Sequence, residues 1–183
     1  MRAVYCLFIA GLWTPLLARD APPLTFTVPG HGATTTEQLR DHVVALEFGY
    51  STCKPCQAVA ERLDRIAADF RTRGLQAYEI LIDPNAAQLA PVVTEQQKLL
   101  LPVAWTSGES AMRFLGYAPT DRPSLPQIVL VDGSGRIRYQ TQAQGTDELR
   151  TDAGLRARIS ELLTPQPPPA QPQHGRTKSV PTR

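Results

Sequence analysis

The sequence has few cysteines, few aromatic residues and no long apolar segment in its interior. Only three of the 183 residues are cysteine, too few for a disulfide-stapled small domain or a zinc module with four thiolate ligands. No interior stretch has the roughly 20 consecutive apolar residues that a membrane-spanning helix needs, which excludes a multi-pass membrane protein. With 42% hydrophobic, 20% charged and 7% aromatic residues, the composition is that of one globular domain.

The body of the sequence also lacks an excess of positive charge. The formal net charge is +2, but four of the 19 basic side chains lie in the terminal segments, which contain no acidic residue (Arg2, Arg176, Lys178 and Arg183). The part between them therefore has more acidic than basic groups. Because binding to phosphates needs a positive field and no basic run is present, we expect no nucleic-acid partner.

The two ends have the composition of segments outside the fold. Residues 1–18 combine one positive charge with an apolar run that ends in a small residue, which is typical of a secretory signal peptide. Leu16 stands where the cleavage signal prefers a small residue, so an uncleaved membrane anchor is the alternative. Residues 164–183 contain six prolines and few side chains large enough to pack, which predicts a disordered or polyproline II tail. We therefore place one domain at residues 22–163.

Export has a consequence for the cysteines. Cys6 lies in the leader, so the mature chain retains two cysteines in a periplasmic or otherwise extracytoplasmic compartment. Such compartments are oxidising, and two thiols there form a disulfide unless a reductant keeps them in the thiol form.

Apolar periodicity between the two ends predicts alternating strands and helices. A buried strand at 42–50, an amphipathic helix ending near Gly74 and a strand at 75–82 form a βαβ unit, whose strands are parallel. The pattern predicts an α/β fold with a mixed central sheet flanked by helices. The other predicted elements are an edge strand at 24–28, a short helix capped by Thr36, helices at 86–98 and 109–115, a strand at 102–106, an edge hairpin at 127–131 and 136–140, and a last helix capped by Thr146.

The motif with the clearest chemistry is Cys53-Lys54-Pro55-Cys56, at the junction of the central strand and the amphipathic helix. Two intervening residues in a first helical turn bring the sulfur atoms within bonding reach, which indicates a redox pair. Cys53 faces the positive end of the helix, which favours its thiolate by about 0.3 to 1 kcal/mol, and up to about 2 in partly buried sites. We expect Cys53 to attack a substrate disulfide and Cys56 to resolve the mixed disulfide. Pro55 is tolerated because its missing N–H has no intrahelical partner in the first turn.

Two other interpretations of the cysteine pair are weaker. A tetrahedral zinc site needs four ligands, but the mature chain adds only His31, His42 and His174, with no second close pair. A structural disulfide across two residues closes too short a loop to restrict the unfolded chain much. We expect no metal and no other cofactor.

Glu47 is a lone carboxylate on the predicted central strand, between Leu46 and Phe48. A buried carboxylate is costly unless it is paired or protonated. One interpretation is a proton acceptor for Cys56 whose pKa is raised by desolvation. The other is a carboxylate turned to the rim of the sheet or paired with an arginine.

Together these features resemble the thioredoxin superfamily, and most closely its exported TlpA-like thiol-disulfide oxidoreductases. The resemblance covers residues 24–163 and rests on the strand at 44–48 that leads into the cysteine pair, on the segment 125–137, and on the leader. It implies a thioredoxin-like fold with an extra strand and helix before a cis-proline. Pro126 is then that proline, facing the redox pair, and Leu125 offers backbone hydrogen bonds to an extended substrate.

The sequence matches the family at the buried acid and departs from it beside the cysteines. Glu47 occupies the position of the buried acid of thioredoxins. Thr52 stands where the family has tryptophan, and Gly49-Tyr50 stands where it has an aromatic residue followed by alanine. We expect four residues to contact the substrate: Thr52, Lys54, Pro55 and Leu125.

The expected function is reduction of disulfides in exported partner proteins, such as apocytochromes during cytochrome c maturation. Pro55 and the absence of histidine from the motif resemble reducing members of the family. We expect a monomer that receives electrons from a membrane donor. The alternatives are a thioredoxin-fold binding module or metallochaperone, and a peroxidase; the last is disfavoured because the peroxidatic pattern has threonine where this chain has Tyr50.

Overall fold

The computed structural model describes residues 18–145 and 147–164, which form one eight-stranded mixed sheet with helices on both faces. The strands are β1 (Arg19–Asp20), β2 (Thr25–Val28), β3 (Gly32–Thr35), β4 (Val43–Gly49), β5 (Leu75–Leu81), β6 (Val103–Trp105), β7 (Gln127–Val131) and β8 (Arg136–Gln140). The α-helices are α1 (Lys54–Phe70), α2 (Ala86–Gln97), α3 (Gly108–Leu115) and α4 (Asp152–Leu163), and short 3-10 helices occupy Thr36–Leu39, Arg71–Arg73 and Glu148–Arg150.

The strand order across the sheet is β1-β8-β7-β4-β5-β6-β2-β3. β4 lies parallel to β5 and antiparallel to β7, so the expected βαβ unit and mixed sheet are confirmed. Between Asp83 and Pro126 the chain forms α2, β6 and α3, which supply the extra strand and helix of the predicted thioredoxin-like fold.

Alternation along β4 divides its side chains between the two faces of the sheet. Val43 and Ala45 pack with residues of α1 and α4, whereas Val44, Leu46 and Phe48 pack on the other face with residues of α3. Residues of α2 form a smaller core with Leu81 and Val103 of the neighbouring strands. The same alternation places Glu47 on the face that α1 covers.

Helix α1 is amphipathic and carries the second cysteine at its start. Its buried residues follow the helical period, which fixes this face against the sheet (Cys56, Val59, Ala60, Leu63 and Ile66). The helix ends at Phe70, a 3-10 turn follows, and Gly74 takes the left-handed conformation with φ of 95°. The predicted end near Gly74 is confirmed, because glycine adopts this conformation at little cost.

Several predicted positions at the periphery are wrong. β2 is not an edge strand, because β3 pairs with it on its outer side. The β7–β8 hairpin is likewise not at the edge, since β1 pairs with β8. The two outer strands, β1 and β3, are short and poor in apolar residues, so the apolar periodicity of the sequence does not predict them.

Two helix caps also differ from the prediction. The 3-10 helix at Thr36–Leu39 is capped by Thr35 rather than Thr36. The last helix begins at Asp152 and is capped by the Thr151 hydroxyl, which accepts a hydrogen bond from the backbone N–H of Gly154 at 3.1 Å. Thr146, the predicted cap, lies outside the described residues, as do nearly all of the predicted leader and tail. Within the described ranges, no helix combines the length and apolar character needed to cross a bilayer.

Candidate active site

The cysteine pair lies where β4 ends and α1 begins. Cys53 is the N-cap residue of α1, and its Sγ accepts a hydrogen bond from the backbone N–H of Cys56 at 3.2 Å. The two sulfur atoms are bonded at 2.07 Å. Cys53 is partly exposed, whereas Cys56 is 1% exposed. A nucleophile at the cap is therefore accessible, and its partner lies behind it in the first helical turn.

The loop before Cys53 is held by side chains from two other elements. The Asp83 carboxylate, just beyond β5, accepts hydrogen bonds from the backbone N–H and the hydroxyl of Ser51, both at 2.9 Å. The Gln57 amide of α1 donates to the Ser51 carbonyl at 2.7 Å. These bonds fix the loop on both sides of the redox pair. Asp83 stands 32 positions from Ser51, so no local pattern in the sequence indicates this network.

Three predicted substrate contacts surround Cys53 on the surface. Thr52, Lys54 and Pro55 are all exposed. The Lys54 ammonium group donates to the Gln57 side-chain carbonyl at 3.2 Å and so points along the helix surface. Pro55 occupies the first turn of α1, as its missing N–H allows.

The fourth predicted contact lies on the segment that enters β7. The Leu125–Pro126 peptide bond is cis. Gln127, the first residue of β7, is the register partner of Phe48 near the end of β4. Pro126 therefore lies at the same end of the sheet as Cys53. The structure shows no protein hydrogen-bond partner for the backbone N–H or C=O of Leu125 within the described ranges.

Arg150, the last residue of the 3-10 helix before α4, holds the segment that enters β7 through side-chain hydrogen bonds. Its guanidinium donates to the Pro126 carbonyl at 3.2 and 3.3 Å, to the Ser124 hydroxyl at 3.1 Å and carbonyl at 3.3 Å, and to the Gly145 carbonyl at 2.6 Å. A planar guanidinium with five donors can hold several carbonyl groups in one arrangement. No local pattern predicts this role, because the contacts to Ser124 and Pro126 join positions 26 and 24 residues apart in the chain.

Glu47 is completely buried beneath α1. A Cβ atom on Gly49 would lie 2.9 Å from Glu47 Oε1, 2.9 Å from Cys56 Sγ and 2.7 Å from Cys56 Cβ. The absence of a side chain at Gly49 thus lets the carboxyl group and the sulfur both approach the same small space. Glu47 does not lie at the rim of the sheet and has no arginine partner among the described residues, so the second interpretation of this carboxylate is wrong.

A second carboxyl group lies next to Glu47. Glu79 on β5 is its register partner and is 1% exposed. The Gln97 amide at the end of α2 donates to Glu79 Oε1 at 3.3 Å. Burial raises the pKa of Glu47 well above its ordinary value, and the Glu79 charge raises that pKa further. Burial also raises the pKa of Glu79, to about 7, against the lowering effect of the Gln97 hydrogen bond. Glu79 was not among the predicted site residues, although it carries the same signal as Glu47: a lone acid inside a mostly apolar strand.

Neither His31 nor His42, two of the histidines considered as metal ligands, joins this site. His42 immediately precedes β4, whereas the cysteine pair follows the other end of that strand. His31 lies in the turn between β2 and β3, and its ring contacts the Pro29 carbonyl at 3.3 Å. His174 lies outside the described residues. Among the described residues, no group of three or more histidine, cysteine or acidic side chains is arranged to hold a metal ion.

The geometry supports thiol-disulfide exchange. An accessible sulfur at a helix N-terminus can attack, a buried sulfur in the same turn can resolve, and a carboxyl group of raised pKa lies beside the buried sulfur.

The sequence from residue 17 to residue 140 matches the model of the AhpC/TSA family. No curated protein matches the chain at a significant level. Among solved structures, a candidate thiol:disulfide interchange protein DsbE from Chlorobium tepidum is similar, with 20% identity and a TM-score of 0.67 over 80% of this chain and 96% of that one. A thioredoxin-family thiol:disulfide interchange protein from Chlorobium tepidum TLS has 16% identity and a TM-score of 0.65 over 80% of this chain and 97% of its own. A thiol:disulfide interchange protein from Bacteroides sp. has 18% identity and a TM-score of 0.65 over 86% and 94%. The thioredoxin-like fold is thereby confirmed.

Proposed function

The chain belongs to the AhpC/TSA family, and from its thioredoxin-like fold with Cys53 bonded to Cys56 we propose that it is an extracytoplasmic thiol-disulfide oxidoreductase that reduces disulfides in other proteins. One observation carries the proposal: a partly exposed N-cap cysteine is bonded to a buried cysteine that lies beside a buried carboxyl group.

The first step is attack by Cys53 on a substrate disulfide. In the reduced enzyme, the Cys56 N–H and the positive end of α1 stabilise the Cys53 thiolate. A bond forms between Cys53 Sγ and one substrate sulfur while the substrate disulfide breaks, and the other substrate sulfur leaves as a thiolate.

The second step is resolution by Cys56. Its S–H proton passes to Glu47, and the resulting thiolate bonds to Cys53 Sγ, which releases the second substrate sulfur as a thiolate. The two enzyme thiols are oxidised to a disulfide and the substrate disulfide is reduced to two thiols. In this scheme Glu47 ends the step protonated, which agrees with its raised pKa in the disulfide form of the structure.

The surface around the pair fits an extended polypeptide. The unpaired backbone groups of Leu125 can pair with a substrate strand, as exposed strand edges do. Thr52, Lys54 and Pro55 lie exposed on the other side of Cys53. Thr52 stands where the resembled family has tryptophan, so a substrate meets a smaller and more polar side chain directly before Cys53, which favours contact through the substrate backbone.

The sequence and the chemistry of the cysteine pair support proposals for the compartment, the electron source and the partners. The apolar leader at residues 1–18 supports export, with cleavage or anchoring as its two outcomes. A reducing pair in an oxidising compartment needs a supply of electrons, so we propose a membrane donor that reduces the Cys53–Cys56 disulfide. Pro55 and the absence of histidine in the motif support the reducing direction, and apocytochromes are one class of substrate. We propose that the enzyme acts as a monomer.

Cysteine trapping tests the proposal. We expect Cys56→Ser to leave Cys53 in stable mixed disulfides with exported proteins, whereas the matched Cys53→Ser variant captures none. The wild-type protein should reduce insulin with dithiothreitol as the electron source, and both variants should lose this activity. A protein that traps no substrate in the Cys56→Ser form and fails to reduce insulin is not an oxidoreductase.

The same samples separate the alternatives. Stoichiometric copper or zinc retained on purification, without disulfide exchange, would identify a binding module or metallochaperone. Consumption of hydrogen peroxide by the Cys56→Ser variant, with no captured protein, would identify a peroxidase. A measured reduction potential of about −180 mV or higher would reverse the proposed direction, because this is the range of the protein disulfide isomerases.

A further inference from the structure

We propose that Glu79 is a positioning residue which, together with Gln97, sets the proton affinity of Glu47 and carries the proton released by Cys56 toward the end of α2. The inference deepens the proposed function and rests on it for the step that the proton serves. We call Glu47, Glu79 and Gln97 the acid cluster.

The acid cluster contains every buried side-chain oxygen or nitrogen that has no hydrogen-bond partner in the described parts of the chain. These atoms are Glu47 Oε1, Glu47 Oε2, Glu79 Oε2 and Gln97 Oε1. Buried polar groups in folded proteins are almost always hydrogen-bonded, and each exception costs about 1 to 3 kcal/mol. Four exceptions gathered in one place indicate a site kept for chemistry rather than for stability.

The register of the sheet brings the two acids together. Glu47 and Glu79 are direct partners on parallel strands, so their side chains leave the same face side by side. On the flanking strands, the partners of these two residues are Ile128 and Val103, which are apolar. From α1 the ionisable group is Cys56 and from α2 the polar group is the Gln97 amide.

No positive charge compensates the pair. In the described parts of the chain, neither carboxyl group forms an ion pair with a lysine, arginine or histidine. Two carboxyl groups in a medium of low polarity cannot both ionise cheaply, so the pair retains one proton over a wide pH range.

Gln97 decides which acid holds that proton. Its amide donates to Glu79 Oε1, which favours the ionised form of Glu79, and Glu47 receives no such bond. The pKa of Glu79 is accordingly about 7, and that of Glu47 is raised well above its ordinary value. An ionised Glu79 then makes Glu47 a stronger base toward Cys56.

The acid cluster extends from the buried centre of the sheet to the protein surface. Glu47 is 0% exposed and Glu79 is 1% exposed, whereas Gln97 is partly exposed at the last turn of α2. During resolution the S–H bond of Cys56 breaks and an O–H bond forms on Glu47. The proton then moves from Glu47 to Glu79 and from there to solvent beside Gln97, with no change in electron count.

Infrared titration of the carboxyl groups tests this arrangement without any protein substrate. Above pH 6 the C=O band of protonated carboxyl groups should come from the acid cluster, because ordinary acids are ionised there. In the wild-type disulfide form we expect two steps, a lower one near pH 7 from Glu79 and an upper one from Glu47, whose pKa the Glu79 charge raises further. Glu79→Gln should leave a single step, shifted down from the upper wild-type step by about one pH unit or more.

Matched variants keep the test decisive. Gln97→Leu should move the lower step upward, because it removes the donor to Glu79. Glu109→Gln removes an exposed carboxyl group paired with Arg113, and should leave both steps unchanged. An upper step that stays in place in Glu79→Gln, or a lower step that stays in place in Gln97→Leu, would overturn the proposal.

The activity assay then connects the cluster to exchange. In Glu79→Gln we expect the acidic limb of the insulin-reduction pH profile to move to lower pH, because Glu47 ionises earlier, and the plateau rate to fall about tenfold, because a weaker base accepts the proton. If the infrared steps shift as expected in a protein that reduces no disulfide, the proposed function is refuted and the role of Glu79 is supported. If the steps do not shift in an active enzyme, the role of Glu79 is refuted and the proposed function is supported.

Discussion

Two clusters of buried polar side chains lie on the same sheet, and they differ in how well their atoms are paired. The first is the acid cluster beneath α1. The second, which we call the amide cluster, is Gln127 and Thr141 at the start of β7 and the end of β8; these side chains are 0% and 2% exposed. Within the described ranges, four oxygens of the acid cluster have no protein hydrogen-bond partner, whereas every polar side-chain atom of the amide cluster has one.

Each polar side-chain atom of the amide cluster has a hydrogen-bond partner. The Gln127 amide donates to the carbonyls of Ser124 at 2.7 Å and Gln142 at 3.2 Å, and its oxygen accepts from the hydroxyls of Tyr117 and Thr141, both at 3.1 Å. The Thr141 hydroxyl in turn accepts from the backbone N–H of Ile128 at 3.0 Å. A neutral cluster in which every atom is paired rigidifies the chain around it. This one holds the segment that contains Leu125, the proposed contact to a substrate backbone.

The comparison separates two uses of buried polarity. A satisfied cluster contributes to stability and fixes geometry, while an unsatisfied acidic cluster costs stability and holds a proton. The difference predicts a pH-dependent stability for the acid cluster alone, and opposite effects of substitution in the two clusters.

The largest expected effect is a pH-dependent loss of stability from the acid cluster. The folded-state pKa of Glu79 is about 7 against an ordinary value of 4.5, so the folded state binds the proton more tightly than the unfolded state. The contribution to the free energy of unfolding is fully present below pH 4.5 and is lost as pH rises through 7. The shift corresponds to about 3 kcal/mol, and Glu47 acts in the same direction.

Urea denaturation of the oxidised protein at pH 4 and pH 8 measures this effect. Wild type and Glu79→Gln are compared at each pH, so that titration of other acids cancels. The variant should gain about 3 kcal/mol relative to wild type between the two pH values, whereas Glu109→Gln should gain nothing. An equal difference at both pH values would mean that Glu79 titrates like a surface acid.

The central part of this architecture could be predicted from the sequence because its signals are local. The apolar period of α1, the βαβ order and the CxxC spacing each lie within a few turns of chain, and the structure has them where the sequence placed them. A lone acid among apolar neighbours left two interpretations open for Glu47, and the structure decides for burial. The same signal is present at Glu79, although β5 also contains Gln76 and Tyr78 and is less uniformly apolar than β4.

The remaining features depend on contacts between distant positions. The pairing of Glu47 with Glu79 depends on strand register, and the bonds from Arg150 to Pro126 and from Asp83 to Ser51 join residues 24 and 32 positions apart. β3 contains Gly32, Ala33 and two threonines, so it has no alternation to detect and forms only because β2 lies beside it. No propensity in a single sequence specifies such partners.

A smaller effect is expected from removing the central amide of the satisfied cluster. Gln127→Leu leaves the carbonyls of Ser124 and Gln142 and the hydroxyls of Tyr117 and Thr141 without their partner, so we expect a loss of about 2 kcal/mol in the free energy of unfolding. The matched change in the acid cluster, Glu79→Leu, should stabilise the protein, because it removes a costly buried acid. Urea midpoints at pH 7 measure both. Changes of the same sign would show that the two clusters serve the same purpose.

The smallest expected effect concerns the outer support of the amide cluster. Arg150→Lys replaces a planar group that reaches Ser124, Pro126 and Gly145 with a single ammonium that cannot reach all of them at once. Insulin reduction should fall about fivefold, equivalent to about 1 kcal/mol, because the segment carrying Leu125 loses part of its fixed geometry.

Reduction of the Cys53–Cys56 disulfide by dithiothreitol should keep its rate, since that small reductant does not need the segment. Arg113→Lys, which alters only an exposed pair with Glu109, is the control and should change neither rate. Equal losses with insulin and dithiothreitol in Arg150→Lys would place the effect at the cysteine pair itself, and the segment before β7 would then have no separate part in binding the substrate.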